Sequence, residues 1–256
     1  MPDLGVAVVV EDDEDVRHLV EAVLSQAGFD VHGAASGRAG VEAVRSRKAS
    51  VVTLDVGLHD IDGFEVLRRI REFSDAYVVM LTARTDELDT LTALHTGADD
   101  FMTKPFRPRE LRARVAAMMR RPRHEVAGGT SPKAGGAPWA GLGLPQDSVF
   151  RHNGLVLNPD TRTVTLDGVP TSLTRSEFDL LHALLKAAGA VRTKIDLVRV
   201  VRGDHYGADA YISESDERAV EVHIGNLRRK LREDSLQPRW LQTVRGVGYR
   251  LAPAVV

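Results

Sequence analysis

Five short apolar runs, each followed by a longer amphipathic stretch, constrain the first half of this chain more than any other feature. The runs are Val6–Val10, Val31 with its neighbours, Val51–Leu54, Tyr77–Leu81 and Phe101–Met102. Strands buried on both faces read as continuous apolar segments, and parallel strands need long crossovers between them. The intervening stretches supply helices for that purpose. Val16, Leu19, Val20, Val23 and Leu24 recur at i, i+3, i+4, i+7 and i+8, and Gly28 stands just past them, where a left-handed terminal residue is expected. Phe64, Val66, Leu67 and Ile70 suit a third helix, and Leu111, Val115 and Met118 a fifth. This pattern predicts an α/β domain over residues 1–121, a doubly wound parallel five-stranded sheet covered on both faces.

Residues 122–147 are rich in glycine and proline and offer little to a core, so a flexible linker is expected there. A second domain is expected over 148–256. Short alternating segments at Leu155–Leu157 and Thr163–Leu166 suggest a small antiparallel sheet. Thr174-Arg175-Ser176-Glu177 is a capping box that opens a helix through Leu185, with Gly189 closing it. Helices follow near 193–201 and 215–233, and Leu241–Arg245, Gly246-Val247-Gly248 and Tyr249–Leu251 predict a β-hairpin. The whole is a small α+β domain.

With 256 residues the chain can bury two cores. It contains no cysteine, which excludes disulfides and thiolate metal sites and makes a reducing cytosol the expected location. No apolar run approaches the roughly 20 residues of a membrane span, and no signal pattern precedes the acidic residues near the start. Residues 1–121 carry 16 Lys and Arg against 21 Asp and Glu, and the remainder 18 against 15. An acidic half beside a basic half suits a metal- or phosphate-handling module joined to one that approaches nucleic acid.

In a parallel sheet, functional groups gather at the carboxyl ends of the strands. Glu11-Asp12-Asp13 follows the first strand, Asp55 ends the third, Thr82 follows the fourth and Lys104 the fifth. Converging carboxylates repel one another unless a hard cation sits among them, and Mg²⁺ is the expected guest. Asp55 would then be a nucleophile toward a phosphoryl group, with Lys104 as a point charge and Thr82 as a hydroxyl donor. Taken singly, an acidic loop, a strand-end threonine and a surface lysine each have an ordinary explanation. Four such groups at successive strand ends do not arise readily by chance.

The segments Val9-Val10-Glu11-Asp12-Asp13, Leu54-Asp55-Val56, Asp62-Gly63-Phe64-Glu65, Leu81-Thr82-Ala83-Arg84, Gly97-Ala98-Asp99-Asp100-Phe101 and Lys104-Pro105-Phe106 resemble, as an ordered set, the receiver domain of two-component response regulators. That fold is flavodoxin-like, as in CheY. The resemblance implies that Asp55 is phosphorylated by a sensor histidine kinase. It implies Mg²⁺ at Glu11, Asp12, Asp55 and the Gly57 carbonyl, with Asp13 just outside, starting the helix. Thr82 and Phe101 become the switch pair, and Lys104 precedes a cis proline. It further implies receiver pairing through Asp99, Asp100, Arg112 and Arg114. His59 departs from the proline usual in the family, and Phe101 replaces the commoner tyrosine. Such a domain catalyses its own phosphorylation and slow dephosphorylation and is not a turnover enzyme.

Within Ser215–Glu233, Val220, Ile224, Leu227 and Leu231 form one apolar stripe, and Arg218, His223, Arg228, Arg229 and Arg232 lie elsewhere on the helix. A helix of this kind can bury one face and lay the other along a major groove. A solvated basic face is the plain alternative. Together with Leu173-Thr174-x-x-Glu177-Phe178 and Thr243-Val244-Arg245-Gly246-Val247-Gly248-Tyr249-Arg250-Leu251, the stretch is similar to the winged-helix domain of OmpR/PhoB-type regulators. By that resemblance Arg218, His223, Arg228 and Arg229 contact double-stranded promoter DNA from the recognition helix, and Arg245 from the wing. Gly225 and Asn226 depart from the contact residues common in relatives. Arg202 replaces the usual tryptophan, in the region through which relatives meet RNA polymerase. Two other functions compete: a winged-helix factor with a relic receiver, controlled without phosphorylation, and an aspartyl phosphatase of the haloacid dehalogenase type. The latter would need Asp-x-Asp-x-Thr at the first strand, whereas Asp55-Val56-Gly57 ends the third.

Overall fold

The computed structural model describes residues 4–83, 87–119, 149–202, 212–234 and 237–254. The linker expected over 122–147, most of the 204–213 loop and the Met118 side chain lie outside the described residues.

The first domain alternates β1 (Val6–Val10), α1 (Glu14–Gln26), β2 (Asp30–Ala34), α2 (Gly37–Arg47), β3 (Val51–Asp55), α3 (Gly63–Arg71), β4 (Tyr77–Thr82), α4 (Glu87–Thr96), β5 (Asp100–Thr103) and α5 (Pro108–Met119). All five strands are parallel, in the order β2-β1-β3-β4-β5, which is the doubly wound sheet expected. Successive strand residues point to opposite faces. Val8, Val10, Val52, Leu54, Val78 and Met80 therefore meet Val66, Leu67 and Ile70 of α3, while Ala7, Val9, Val51, Val79 and Leu81 meet α1 and α5 through Val20, Leu24, Leu111 and Val115. Both faces are covered, and this is why the strands read as unbroken apolar runs.

Two helix starts shape the loops around the carboxyl edge of the sheet. Asp13 caps α1 by accepting from Val16 N at 3.0 Å, as its place after the acidic pair led one to expect. Asp62 caps α3 through Phe64 N. Gly63 is required there, since a Cβ would collide with the Asp55 carbonyl oxygen.

The second domain contains β6 (Phe150–His152), β7 (Leu155–Asn158), β8 (Thr163–Leu166), β9 (Val169–Pro170), α6 (Arg175–Lys186), β10 (Arg192–Thr193), α7 (Lys194–Arg202), α8 (Glu214–Lys230), β11 (Leu241–Val244) and β12 (Gly248–Leu251). An antiparallel four-stranded sheet precedes three helices, and a β10-β12-β11 sheet closes the winged helix. The capping box at α6 is complete: Thr174 Oγ1 accepts from Glu177 N, and Glu177 Oε2 accepts from Thr174 N at 2.7 Å. One core unites Phe178, Leu181 and Leu184 of α6, Leu197 and Val201 of α7, and Val220, Ile224 and Leu227 of α8 with Leu231, Trp240 and Tyr249. The apolar stripe read from the sequence is thus the core face of α8. Gly248 has no room for a side chain, because a Cβ would strike the Arg192 carbonyl where β10 pairs with β12.

Candidate functional site

The strand order reverses direction between β1 and β3, so the loops leaving these two strands part and leave a crevice at their carboxyl ends. Glu11 and Asp12 follow β1 and Asp55 ends β3, placing the three carboxylates on either side of that crevice. One oxygen from each lies within 4.8 Å of the other two. Lys104, in the turn after β5, reaches in to Glu11 Oε2 at 2.7 Å and Asp55 Oδ1 at 3.1 Å. The Lys104–Pro105 bond is cis.

Burial pushes the Glu11 carboxyl above its ordinary range; the Lys104 ammonium opposes that, while the Asp55 and Asp12 charges add to it. Burial also works against the Lys104 charge, but the carboxylates of Glu11 and Asp55 outweigh it and raise its pKa. The acidic group is therefore only partly compensated by one lysine. Oxygen donors of this kind, gathered around a partly open crevice, fit a hard divalent cation such as Mg²⁺.

Thr82 ends β4 beside the site and is buried, and Lys104 N donates to Thr82 O at 2.7 Å. Gly57 is exposed just after β3, where a Cβ would stand 3.6 Å from Asp55 Oδ2. The Phe101 ring is half-buried against the core. His59, exposed on the loop after Asp55, pairs through Nδ1 with Asp12 Oδ2. Position alone gave no hint of that pair.

The residues expected at DNA divide into two groups. Arg218 and Arg245 are exposed. Arg228 is held against the hairpin, donating to Leu241 O at 3.1 Å and Thr243 Oγ1 at 2.7 Å, with its guanidinium over the Tyr249 ring. His223 and Arg229 face the first domain. His223 Nε2 lies 3.2 Å from Asp99 O, and Arg229 Nη2 donates to His95 O at 3.4 Å. Asn226 joins them, donating from Nδ2 to Leu94 O at 2.8 Å. Arg112 is exposed, but Asp99 and Asp100, expected on a free pairing face, are 1% and 5% exposed beneath the second domain. Asp99 accepts from Arg71, Val78 N and, across the interface, Ser176 N. Asp100 holds Arg114 at 2.8 Å, with Arg202 3.9 Å away.

One pairing could not be read in the sequence. Arg202 is buried and paired with Asp216, which also completes a capping box with Ser213 at the start of α8. Ser213 followed three residues later by an acid was the available signal.

A switch-point acid cluster joined to a winged helix is the build of a signal-receiving, DNA-binding regulator. Residues 7–116 match the response regulator receiver domain family, and residues 168–251 the family described as transcriptional regulatory protein, C terminal. Over 254 residues the chain is 35% identical to the transcriptional regulatory protein AfsQ1 of Streptomyces coelicolor, covering 99% of each. Among solved structures it is similar to a RitR mutant, 21% identical, with a TM-score of 0.70 over 97% of this chain and 99% of that one. It is also similar to DrrB, a Thermotoga maritima OmpR/PhoB homologue, 28% identical, with a TM-score of 0.46 over 97% and 99%. The chain belongs to the response regulators of two-component systems that carry a transcriptional regulatory C-terminal domain, and it is a DNA-binding response regulator. No helix among the described residues is long and apolar enough to cross a membrane.

Proposed function

We propose that Asp55 accepts a phosphoryl group from a sensor histidine kinase and that this event frees the winged helix to bind promoter DNA. The observation that carries this is the convergence of Glu11, Asp12 and Asp55 within 4.8 Å, with Lys104 bonded to two of them. Asp55 attacks phosphorus, the bond to the kinase imidazole breaks, and the new Asp55 O–P bond forms. Glu11, Asp12, Asp55 and the Gly57 carbonyl would hold Mg²⁺, which when bound would supply positive charge to offset that of the phosphoryl group. Lys104 exchanges its carboxylate partners for phosphoryl oxygens, and Thr82 donates its hydroxyl.

Movement of Thr82 draws Phe101 inward and re-packs β5. The receiver, residues 1–121, then pairs with a second copy through the face carrying Asp99, Asp100, Arg112 and Arg114. The linker over 122–147 lets two winged helices, residues 148–256, reach repeated sites with shared avidity. Arg218, His223, Arg228 and Arg229 contact the duplex from α8, and Arg245 from the wing. The setting is the cytoplasm, with RNA polymerase as a further partner at the promoter.

Intact-protein mass after treatment with acetyl phosphate and Mg²⁺ tests the assignment. One added phosphoryl group on the wild type and none on Asp55→Asn is expected. Equal labelling of both would remove Asp55 from its role.

A further inference from the structure

The loop that follows Asp55 carries His59 to the mouth of the acid crevice, and its neighbours fix it there. Val56 and Leu58 are buried in the core, and Val56 N donates to Leu81 O at 3.0 Å. On the far side, the Asp60 carboxylate accepts from Gly37 N at 2.8 Å and Arg38 N at 3.1 Å, which ties the loop to the start of α2. Asp62 then caps α3. His59 is thus pinned by residues on both sides, while its own side chain is 75% exposed. The imidazole nevertheless turns to the crevice and meets Asp12 Oδ2 through Nδ1.

The three carboxylates divide their partners unevenly. Lys104 serves Glu11 and Asp55. Arg17 lies near Asp12 but donates to main-chain carbonyls, Glu11 O at 2.9 Å and Asp12 O at 3.3 Å. The Asp12 carboxylate meets His59 instead, so one nitrogen donor stands beside the oxygen donors on the solvent side of the crevice. That nitrogen bears on which ion the crevice prefers. Mg²⁺ takes oxygen ligands and gains little from an imidazole, whereas first-row transition ions such as Co²⁺ and Ni²⁺ bind nitrogen donors well. Adjacent donors on one small ion touch each other. A nitrogen in contact with Asp12 Oδ2 therefore stands where a second donor to the same ion would stand.

We propose that His59 is a further metal donor of the receiver, and that its Nδ1 biases the Glu11–Asp12–Asp55 crevice toward divalent first-row transition ions. Mg²⁺ still binds through the oxygens, and His59 adds a ligand that only ions with an affinity for nitrogen use. The proposal rests on the assignment of this crevice as a cation site but not on phosphoryl transfer to Asp55.

The test uses the full chain, free of any affinity tag and of phosphodonor. Co²⁺ and Mg²⁺ affinities are measured by calorimetry for the wild type, His59→Gln and His59→Ala. Asp12→Asn marks the binding that belongs to the crevice rather than to other histidines of the chain. Glutamine can still donate to Asp12 but is a poor nitrogen ligand, so it separates holding the carboxylate from binding the ion. Losing even an outer partner of a metal ligand costs about 10–100-fold in affinity, so Co²⁺ affinity should fall roughly tenfold or more in both variants, with Mg²⁺ affinity changed by less than about twofold. Proton NMR of the Co²⁺-loaded chain gives a direct reading: strongly shifted imidazole ring protons in the wild type, absent from both variants. Unchanged Co²⁺ affinity in both variants would overturn the proposal. Equal loss of Co²⁺ and Mg²⁺ binding would make His59 a residue that only places Asp12, and tighter Mg²⁺ binding with Co²⁺ unchanged would make it a competitor for Asp12; either result overturns its role as a donor. A wild type that binds neither ion would remove the cation assignment itself, and the proposal with it.

Discussion

Acidification should open the closed arrangement of the two domains through His223. The ring is fully buried between the domains, and Nε2 meets a carbonyl, Asp99 O, so this nitrogen is the donor. Burial is the largest influence and holds the imidazole below its ordinary pKa, although the charges of Asp99, Glu177 and Asp100 pull the other way. The ring is therefore neutral in the closed form. Its contribution to closure is fully present above the ordinary value of about 6.5 and is lost as pH falls below it, because the open form takes up the proton first. Between pH 7.5 and 5.5 closure should weaken by up to about 1.4 kcal/mol, a tenfold rise in the open population. Asp100 does not add to this change: burial works against its charge, but Arg114 and Arg202 outweigh it and keep the carboxyl below its usual range. His182, also depressed by burial, lies away from the interface beside Phe150 and Phe178 and is left intact by the control. The assay is the radius of gyration by small-angle scattering across that pH range, for wild type and His223→Gln, whose amide can still donate. The wild type should expand as pH falls, and the glutamine variant should respond much less. An equal response in both, or contraction of the wild type on acidification, would refute the reasoning.

Other outcomes follow from the packing. Leu181→Ala empties a fully buried position in the winged-helix core and should cost about 2–5 kcal/mol, read as lost thermal stability of that domain. Gly63→Ala forces a Cβ into the Asp55 carbonyl and should cost about 1–3 kcal/mol, with slower labelling by acetyl phosphate because the loop after Asp55 must shift. Thr174→Ala removes half of the α6 capping box and should lower stability by about 1 kcal/mol in denaturant melts. Chelating divalent cations with EDTA should abolish labelling by acetyl phosphate, and restoring Mg²⁺ should recover it.

What could be read in the sequence differs between the two domains for a physical reason. The acid cluster was legible because a parallel sheet places every strand end at one edge, so order along the chain becomes proximity in space. Glu11, Asp12, Asp55 and Lys104 needed only the strand assignment to be brought together. The α8 stripe of Val220, Ile224, Leu227 and Leu231 was equally plain, since helical periodicity reports which face is covered. Periodicity says nothing of what covers a polar face. His223, Asn226 and Arg229 carry donors that suit either DNA or backbone carbonyls, and the carbonyls belong to residues more than 120 positions earlier. Backbone acceptors leave no trace in side-chain identity, so the receiver's half of this contact could not be read at all. Arg202 and Asp216 were hidden differently. Neither side chain names its partner, and only the fold shows them buried together at 6% and 5% exposure. Gly225, by contrast, faces open space on α8, and nothing in the structure explains it. Of the three departures in the second domain, Arg202 and Asn226 contact the receiver and Gly225 does not. Asn226 and Arg202 both reach across to the receiver, to Leu94 O and toward Asp100, so what the sequence left unread is concentrated where the two domains meet.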